Sequence, residues 1–317
     1  MAIKLESGEA IIDRHFLVRK AEKKNTRSGD LYMELELSDK DGIMGAKIWN
    51  NALPFCHFEV GKVAEVSGKS QEYNGVLSLI IDKCQTVDSE AAEDYHPVIP
   101  TMVFDIETVG KKFDELDDKE QDYLLNNLCK DVEDKEEAKK RTALFSIFGM
   151  VCAIGCINPE TNKGLVLAIA DKELVPEKDN YTYKIFKNEK ELLEEFWQVA
   201  KKYEIFVTYN GDSFDFPYLI IRSGINRVKV PLTKNKYDNE KFIDLQNKIR
   251  QNHGFKLEFL CKAFGIENPK DSGVHGDDVS FLFYNKEYNS IANYVARDTF
   301  STAQLYKIWK DFMSGQI

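Results

Sequence analysis

Apolar and polar residues alternate with a period of two through residues 12 to 88. The runs Phe16 to Arg19, Leu31 to Leu37, Ile43 to Trp49, Val63 to Gly68 and Val76 to Ile81 carry the pattern, and successive strand side chains point to opposite faces. The spacing predicts five short strands, each with one buried face. Turn signals at Ser28-Gly29-Asp30, Asp39 to Gly42 and Tyr73-Asn74-Gly75 separate them, and a short segment near Pro54 to Phe58 is inserted after the third. Beyond residue 98 the period changes. Strand-like runs at Val103-Phe104, Gly149 to Ile157, Leu165 to Ala170 and Ile205 to Tyr209 alternate with helical spacing at Glu115 to Leu128, Val132 to Arg141 and Glu189 to Tyr203. In the last of these, Leu192, Leu193, Phe196, Val199 and Ala200 form the inward face. Between the two patterns, the acidic stretch Asp88 to Asp94 and then His96-Pro97 and Pro100 read as a linker. The expected organisation is an all-β domain over residues 1–88, a linker over 89–97, and an α/β domain with a mixed sheet over 98–317.

Composition narrows the possibilities. A chain of 317 residues with 43% hydrophobic content can build a core in each domain. A net charge of -10 argues against a strong nonspecific duplex binder, which would need a basic face to replace condensed counterions. The longest apolar run, Met150 to Ile157, is far too short to span a bilayer, and no basic and apolar leader opens the chain. A cytoplasmic protein without membrane attachment is expected. The six cysteines include no Cys-x-x-Cys, and no histidines stand at ligand spacing near Cys152 and Cys156, so all six read as reduced packing residues.

The candidate chemistry lies in three separated stretches. On a strand, Asp105 and Glu107 share a face. Asp215 follows the strand-like run 205–209 and the Asn210-Gly211 turn, which sets it near the start of the helix-like segment 216–221. On a helix, Tyr294 sits beside Asp298 at i, i+4. Four convergent carboxylates repel one another unless cations neutralise them, and two divalent ions about 3.5 to 4 Å apart stabilise the attacking and leaving oxygens of phosphoryl displacement. The implied reaction is phosphodiester hydrolysis.

The words Phe104-Asp105-Ile106-Glu107-Thr108, Asn210-Gly211-x-x-Phe214-Asp215-x-Pro217 and Tyr294-x-x-x-Asp298 resemble the tyrosine branch of the DEDD superfamily of 3′-to-5′ exonucleases. The nearest wording is that of the proofreading exonuclease of family-B DNA polymerases and its stand-alone relatives, over roughly residues 98 to 312. The sister branch carries histidine where this chain has Asn293. The resemblance implies a ribonuclease H-like fold and two Mg2+ or Mn2+ ions held by Asp105, Glu107, Asp215 and Asp298, with Tyr294 orienting the attacking water. Thr108 and Phe214 are expected at the terminal nucleotide. Asn210 either contacts the strand or braces the turn, and Asp244 is expected to be structural.

Five strands with an insert after the third is the layout of an OB-fold. It resembles nucleic-acid-binding OB-folds that precede some bacterial 3′-to-5′ exoribonucleases. Such folds bind single strands with aromatic and cationic side chains, for which Tyr32, Lys47, Trp49 and Tyr73 are candidates, supported by Lys20, Lys23, Lys24 and Arg27. Alternatively, Trp49 closes the barrel end and Tyr32 merely packs beside Lys47. The expected function is metal-dependent 3′-to-5′ hydrolysis of single-stranded DNA or RNA ends, releasing nucleoside monophosphates. The alternative is a non-catalytic strand-binding or scaffolding subunit of a repair or RNA-processing complex.

Overall fold

Period-two alternation in the first third of the chain produces a closed barrel. The computed structural model describes residues 3, 5–26, 28–73, 75–95, 99–232, 241–268, 273 and 275–314. Arg27, Asn74, His96 and Pro97 lie outside the described residues. The chain divides into two units, Met1–Ile99 and Pro100–Ile317.

In the first unit, β1 (Ala10–Asn25), β2 (Leu31–Asp39), β3 (Gly42–Trp49), β4 (Cys56–His57), β5 (Val63–Tyr73) and β6 (Val76–Thr86) are ordered β3-β2-β1-β5-β6-β4. A parallel pairing of Gly45 to Ile48 with Ser78 to Ile81 joins β3 to β6 and closes the five long strands on themselves. Phe16, Leu37, Ile48, Leu79 and Ile81 fill the interior. The strands run longer than the alternation alone implied, because backbone pairing continues where the outer face is wholly polar, as at the end of β1. Part of the expected linker is tied to the barrel. Ser38 Oγ donates to the Tyr95 carbonyl at 2.8 Å, and the Glu90 carboxylate lies 3.1 Å from His15 Nδ1.

The second unit is built on β7 (Thr101–Gly110), β8 (Gly149–Asn158), β9 (Lys163–Ile169), β10 (Tyr181–Phe186), β11 (Ile205–Thr208) and β12 (Phe242–Asp244), ordered β10-β9-β8-β7-β11-β12. The β7–β8 and β8–β9 pairs are antiparallel, and the other three are parallel. This mixed sheet fits a ribonuclease H-like fold. The helices are α1 (Asp118–Tyr123), α2 (Lys135–Lys140), α3 (Glu189–Ala200), α4 (Asp215–Ile225), α5 (Leu245–Ile249), α6 (Leu257–Phe264), α7 (Val279–Tyr284) and α8 (Tyr288–Phe312). One sheet face packs Met102, Phe104 and Ile106 against Leu192, Leu193 and Phe196 of α3 and Phe216 and Leu219 of α4. The opposite face packs Val103, Val166 and Ala168 against Val295 and Ala296 of α8.

The segment carrying α1 and α2 is helical, as its spacing implies, but it also has a small core of its own, in which Leu116, Leu124, Cys129, Ala138 and Phe148 are buried together. Asp117 caps α1 in a reciprocal box with Glu120, and the Asp134 side chain caps α2. Among the described residues, no helix is long and apolar enough to cross a membrane.

Candidate active site

The alternation of β7 sorts its side chains. Phe104 and Ile106 enter the core beneath α3 and α4, so Asp105 and Glu107 face α8. There the sheet receives the helix at very short range. Asp105 lies opposite Gly155 of β8, and a Cβ built on Gly155 would stand 2.8 Å from both Thr299 Oγ1 and the Val295 carbonyl of α8. Only glycine allows that approach. It brings the α8 face bearing Tyr294 and Asp298 over the two strand carboxylates, and oxygens of Asp105, Glu107 and Asp298 come within 4.8 Å of one another.

Asp215 is not one of the three whose oxygens meet within 4.8 Å, but it is tied to the same strand. Pairing between β7 and β11 stops at Val103 and Val207, so the next part of the β7 edge needs another partner. The Ile106 amide donates to Asp215 Oδ1 at 3.1 Å. Phe104 and Phe216, the residues beside these two acids in sequence, meet edge to face with centroids 5.0 Å apart. The turn before α4 is held by Asp244, which accepts the Asn210 amide at 2.9 Å and the Asp212 amide at 3.1 Å while also capping α5. Asn210 adopts the left-handed conformation, with φ of 66°, and its carbonyl accepts the Ser213 and Phe214 amides. It therefore braces the turn.

The electrostatics follow from the crowding. Burial, and then the charges of Asp215, Asp298 and Glu107, hold the Asp105 carboxyl well above the ordinary carboxylate range. Glu107 is raised by burial and by Asp298 and Asp215. Asp215 is pushed up to about 7, chiefly by burial, although its own amide and that of Ile106 pull the other way. Burial and then Asp298, Glu107 and Asp105 drive the Tyr294 hydroxyl far above its usual range, so it stays protonated as a donor. A set of hard carboxylate oxygens whose charges oppose one another suits Mg2+ or Mn2+ better than soft metals.

Other residues singled out in the sequence lie on or beside the elements that carry these acids. The β7–β8 register shifts between Glu107 and Thr108, and the Thr108 hydroxyl donates to the Ala143 carbonyl at 2.9 Å. Tyr218 donates to that same carbonyl at 3.0 Å, so the Thr108 hydroxyl is engaged inside the protein. Phe214 lines a cleft of about 280 Å³ with Tyr123, Leu144, Ile147, Pro217 and Ile221. Asn293 turns to β10, accepting the Tyr183 hydroxyl at 2.6 Å and the Glu177 amide at 3.1 Å. Sequence reasoning missed the two groups of α7 that hold the end of β7. The Gly110 amide donates to Ser280 Oγ at 3.2 Å, and Tyr284 donates to the Gly110 carbonyl at 2.9 Å. Their partner is more than 160 residues away, and no local pattern could reveal it.

Residues 47–263 match the sequence family described as DNA polymerase family B, exonuclease domain. This chain belongs to that family. The match covers more than half of the chain of this exonuclease-family protein, starting on β3 and ending before Tyr294 and Asp298. A DNA polymerase of Methanocaldococcus jannaschii is 35% identical over 83 residues, 25% of this chain and 5% of that protein. DNA polymerase 1 of Sulfolobus acidocaldarius is 25% identical over 181 residues, 55% of this chain and 18% of the relative. DNA polymerase 1 of Sulfurisphaera ohwakuensis is 25% identical over 155 residues, 49% of this chain and 16% of that protein. The matched region is thus a small part of each of these curated relatives. The solved family B DNA polymerase of Pyrobaculum calidifontis superposes with a TM-score of 0.50 at 11% identity, covering 93% of this chain and 46% of that one, which shows a shared fold.

In this exonuclease-family chain Lys20, Tyr32, Lys47 and Trp49 lie on β1 to β3, and Tyr73 ends β5. Tyr32 and Trp49 are direct partners with ring centroids 5.2 Å apart, and Lys47 Nζ lies 5.9 Å from each ring. Tyr32 does pack beside Lys47, while Trp49 stays outside the barrel and Ile48 points in. Lys20, Lys47 and Tyr73 line a groove of about 580 Å³ together with Glu22, Glu34 and Glu36. Lys24 pairs with Glu34 and Glu22, and Arg19 pairs with Glu36 at 3.0 Å, so the face is mixed in charge.

Proposed function

We propose that this chain is a metal-dependent 3′-to-5′ exonuclease that releases nucleoside monophosphates from single-stranded ends, with DNA slightly favoured over RNA. The observation that carries the reading is the convergence of Asp105, Glu107 and Asp298 oxygens within 4.8 Å, with Asp215 fixed beside them by the Ile106 amide. These four carboxylates would hold two Mg2+ or Mn2+ ions. When bound, such ions acidify water and neutralise charge on the attacking and leaving oxygens. Tyr294, kept protonated by its surroundings, donates to the attacking water and orients it. Phe214 offers an apolar surface to the terminal base. Thr108 acts through its place on the strand, because its hydroxyl is engaged with Ala143. Asn210 keeps its side chain for the strand while its backbone braces the turn.

The barrel is read as an OB-fold over 1–88, joined through 89–97 to an exonuclease domain over 98–317. Its five long strands, its insert after the third and its parallel β3–β6 closure support that identity. Tyr32, Lys47, Trp49, Tyr73 and Lys20 would hold the single strand. On this reading the protein works in the cytoplasm, on frayed ends of the kind repair produces.

The test is digestion of 5′-labelled single-stranded DNA and RNA side by side with Mg2+ or Mn2+. A ladder shortening from the 3′ end, faster on DNA and stopped by EDTA, is expected. Internal cuts, or full activity in EDTA, would sink the assignment.

A further inference from the structure

Away from the acidic cluster, two thiols face one another on the barrel. Cys56 on β4 and Cys84 on β6 are direct partners in a parallel ladder. Neighbouring strands run about 4.7 to 4.9 Å apart, inside the range of about 4.4 to 6.8 Å between Cα atoms that a disulfide spans. Cys84 is buried, whereas Cys56 is only partly so. The other four cysteines are all buried, and burial raises each of their thiols. Cys56 is the exception. The facing Cys84 holds the Cys56 thiol below the usual range, against the effect of partial burial. The facing Cys56, with burial, holds Cys84 well above that range. A partly exposed thiol directly opposite a buried one on the neighbouring strand is the arrangement of a redox-reactive pair.

We propose that Cys56 and Cys84 form a reversible thiol–disulfide site whose oxidant is a peroxide, with Cys56 reacting first and Cys84 resolving. The Cys56 thiolate attacks hydrogen peroxide, forming a sulfur–oxygen bond as the oxygen–oxygen bond breaks. The departing hydroxide takes a proton and leaves as water. Cys56 is thereby oxidised by two electrons to a sulfenic acid and the peroxide is reduced. The Cys84 sulfur then attacks the Cys56 sulfur, so the sulfur–sulfur bond forms and the sulfur–oxygen bond breaks. The Cys84 proton leaves with that hydroxyl as a second water. A dithiol returns the pair to its starting state by exchange. The cross-link would staple β4, which is only two residues long, to the barrel wall. None of this depends on the nuclease reading.

The whole reduced chain is treated with stoichiometric hydrogen peroxide under native conditions, alkylated and mapped by mass spectrometry. The expected product is a Cys56–Cys84 linked peptide, lighter by two hydrogens and restored by dithiothreitol. Before oxidation, Cys56 should alkylate at least about tenfold faster than any other cysteine. In Cys84→Ala, dimedone should capture a sulfenic acid at Cys56. If that variant fails to fold, the map of the unsubstituted chain decides alone. A link that forms only in denaturant, oxidation that falls first on another cysteine, or a pair that stays reduced would overturn the proposal.

Discussion

The acid-bearing face of β7 and the outer face of the barrel use charge in opposite ways. On β7, Asp105 and Glu107 are set against Asp298 and Asp215, and burial, together with those two acids, raises the proton affinity of both strand carboxyls. On the barrel, Lys24, Arg19, Glu22, Glu34 and Glu36 alternate and satisfy one another. An arrangement that opposes its own folding persists because something binds there. A self-neutralised surface makes no such demand, since exposed ion pairs contribute little either way. Crowded like charge is therefore stronger evidence for a site than a groove lined by aromatics and lysines.

Loss of one acid tests the first half of that contrast and should have the largest effect. Asp105→Ala or Asp215→Ala is expected to lower the single-turnover rate on a short oligonucleotide by on the order of 10³-fold or more, with the fold intact by circular dichroism. A modest loss would show that the cluster is not the reaction centre. Tyr294→Phe removes only a hydroxyl and should cost ~10²-fold, with metal affinity unchanged. A weakened Mn2+ affinity in that variant would mean the tyrosine shapes the carboxylates instead of the water.

The cost of burying these acids should also be visible without any substrate. Asp215 titrates near 3.8 when unperturbed and at about 7 in the fold, so the folded state holds protons that the unfolded chain releases. The stability this contributes is fully present below 3.8 and is lost as the pH rises through about 7. In EDTA the melting temperature should fall across that window by the equivalent of ~4 kcal/mol, and Mn2+ should restore more of it at high pH than at low. A metal-induced shift that ignores pH would break the comparison. The smallest effect belongs to the barrel. Trp49→Ala with Lys47→Ala should weaken binding of a long single strand by about tenfold and leave cleavage of a very short one unchanged. Unaltered binding would show that the interleaved face serves another purpose.

Much of this was legible in the residues themselves. The i, i+2 and i, i+4 spacings fixed which of Asp105, Glu107, Tyr294 and Asp298 share a face, because those periods belong to the backbone. The glutamates among the barrel candidates could also have been read, since Glu34 and Glu36 alternate with the face-up Tyr32 on the same strand. What escaped was tertiary. Strand β10 lies at the sheet edge and keeps only Tyr181 fully buried, so it lacks the apolar density that marks β8. The bond from Ile106 to Asp215 exists only because β11 ends early, and no sequence period encodes that. That the Thr108 hydroxyl bonds a carbonyl 35 residues away was likewise beyond any local pattern.

The absent side chain of Gly155 acts as a depth stop for α8. A single methyl there would meet Thr299 and Val295 at 2.8 Å and lift the helix, and with it Asp298, from the strand that holds Asp105. Displacements of a few tenths of an ångström matter little to a hydrophobic contact but much to ligands that must meet around one small cation. The tolerance of the site is thus set at a position that contributes no atom to it, and chemical selectivity here is a matter of machining clearance.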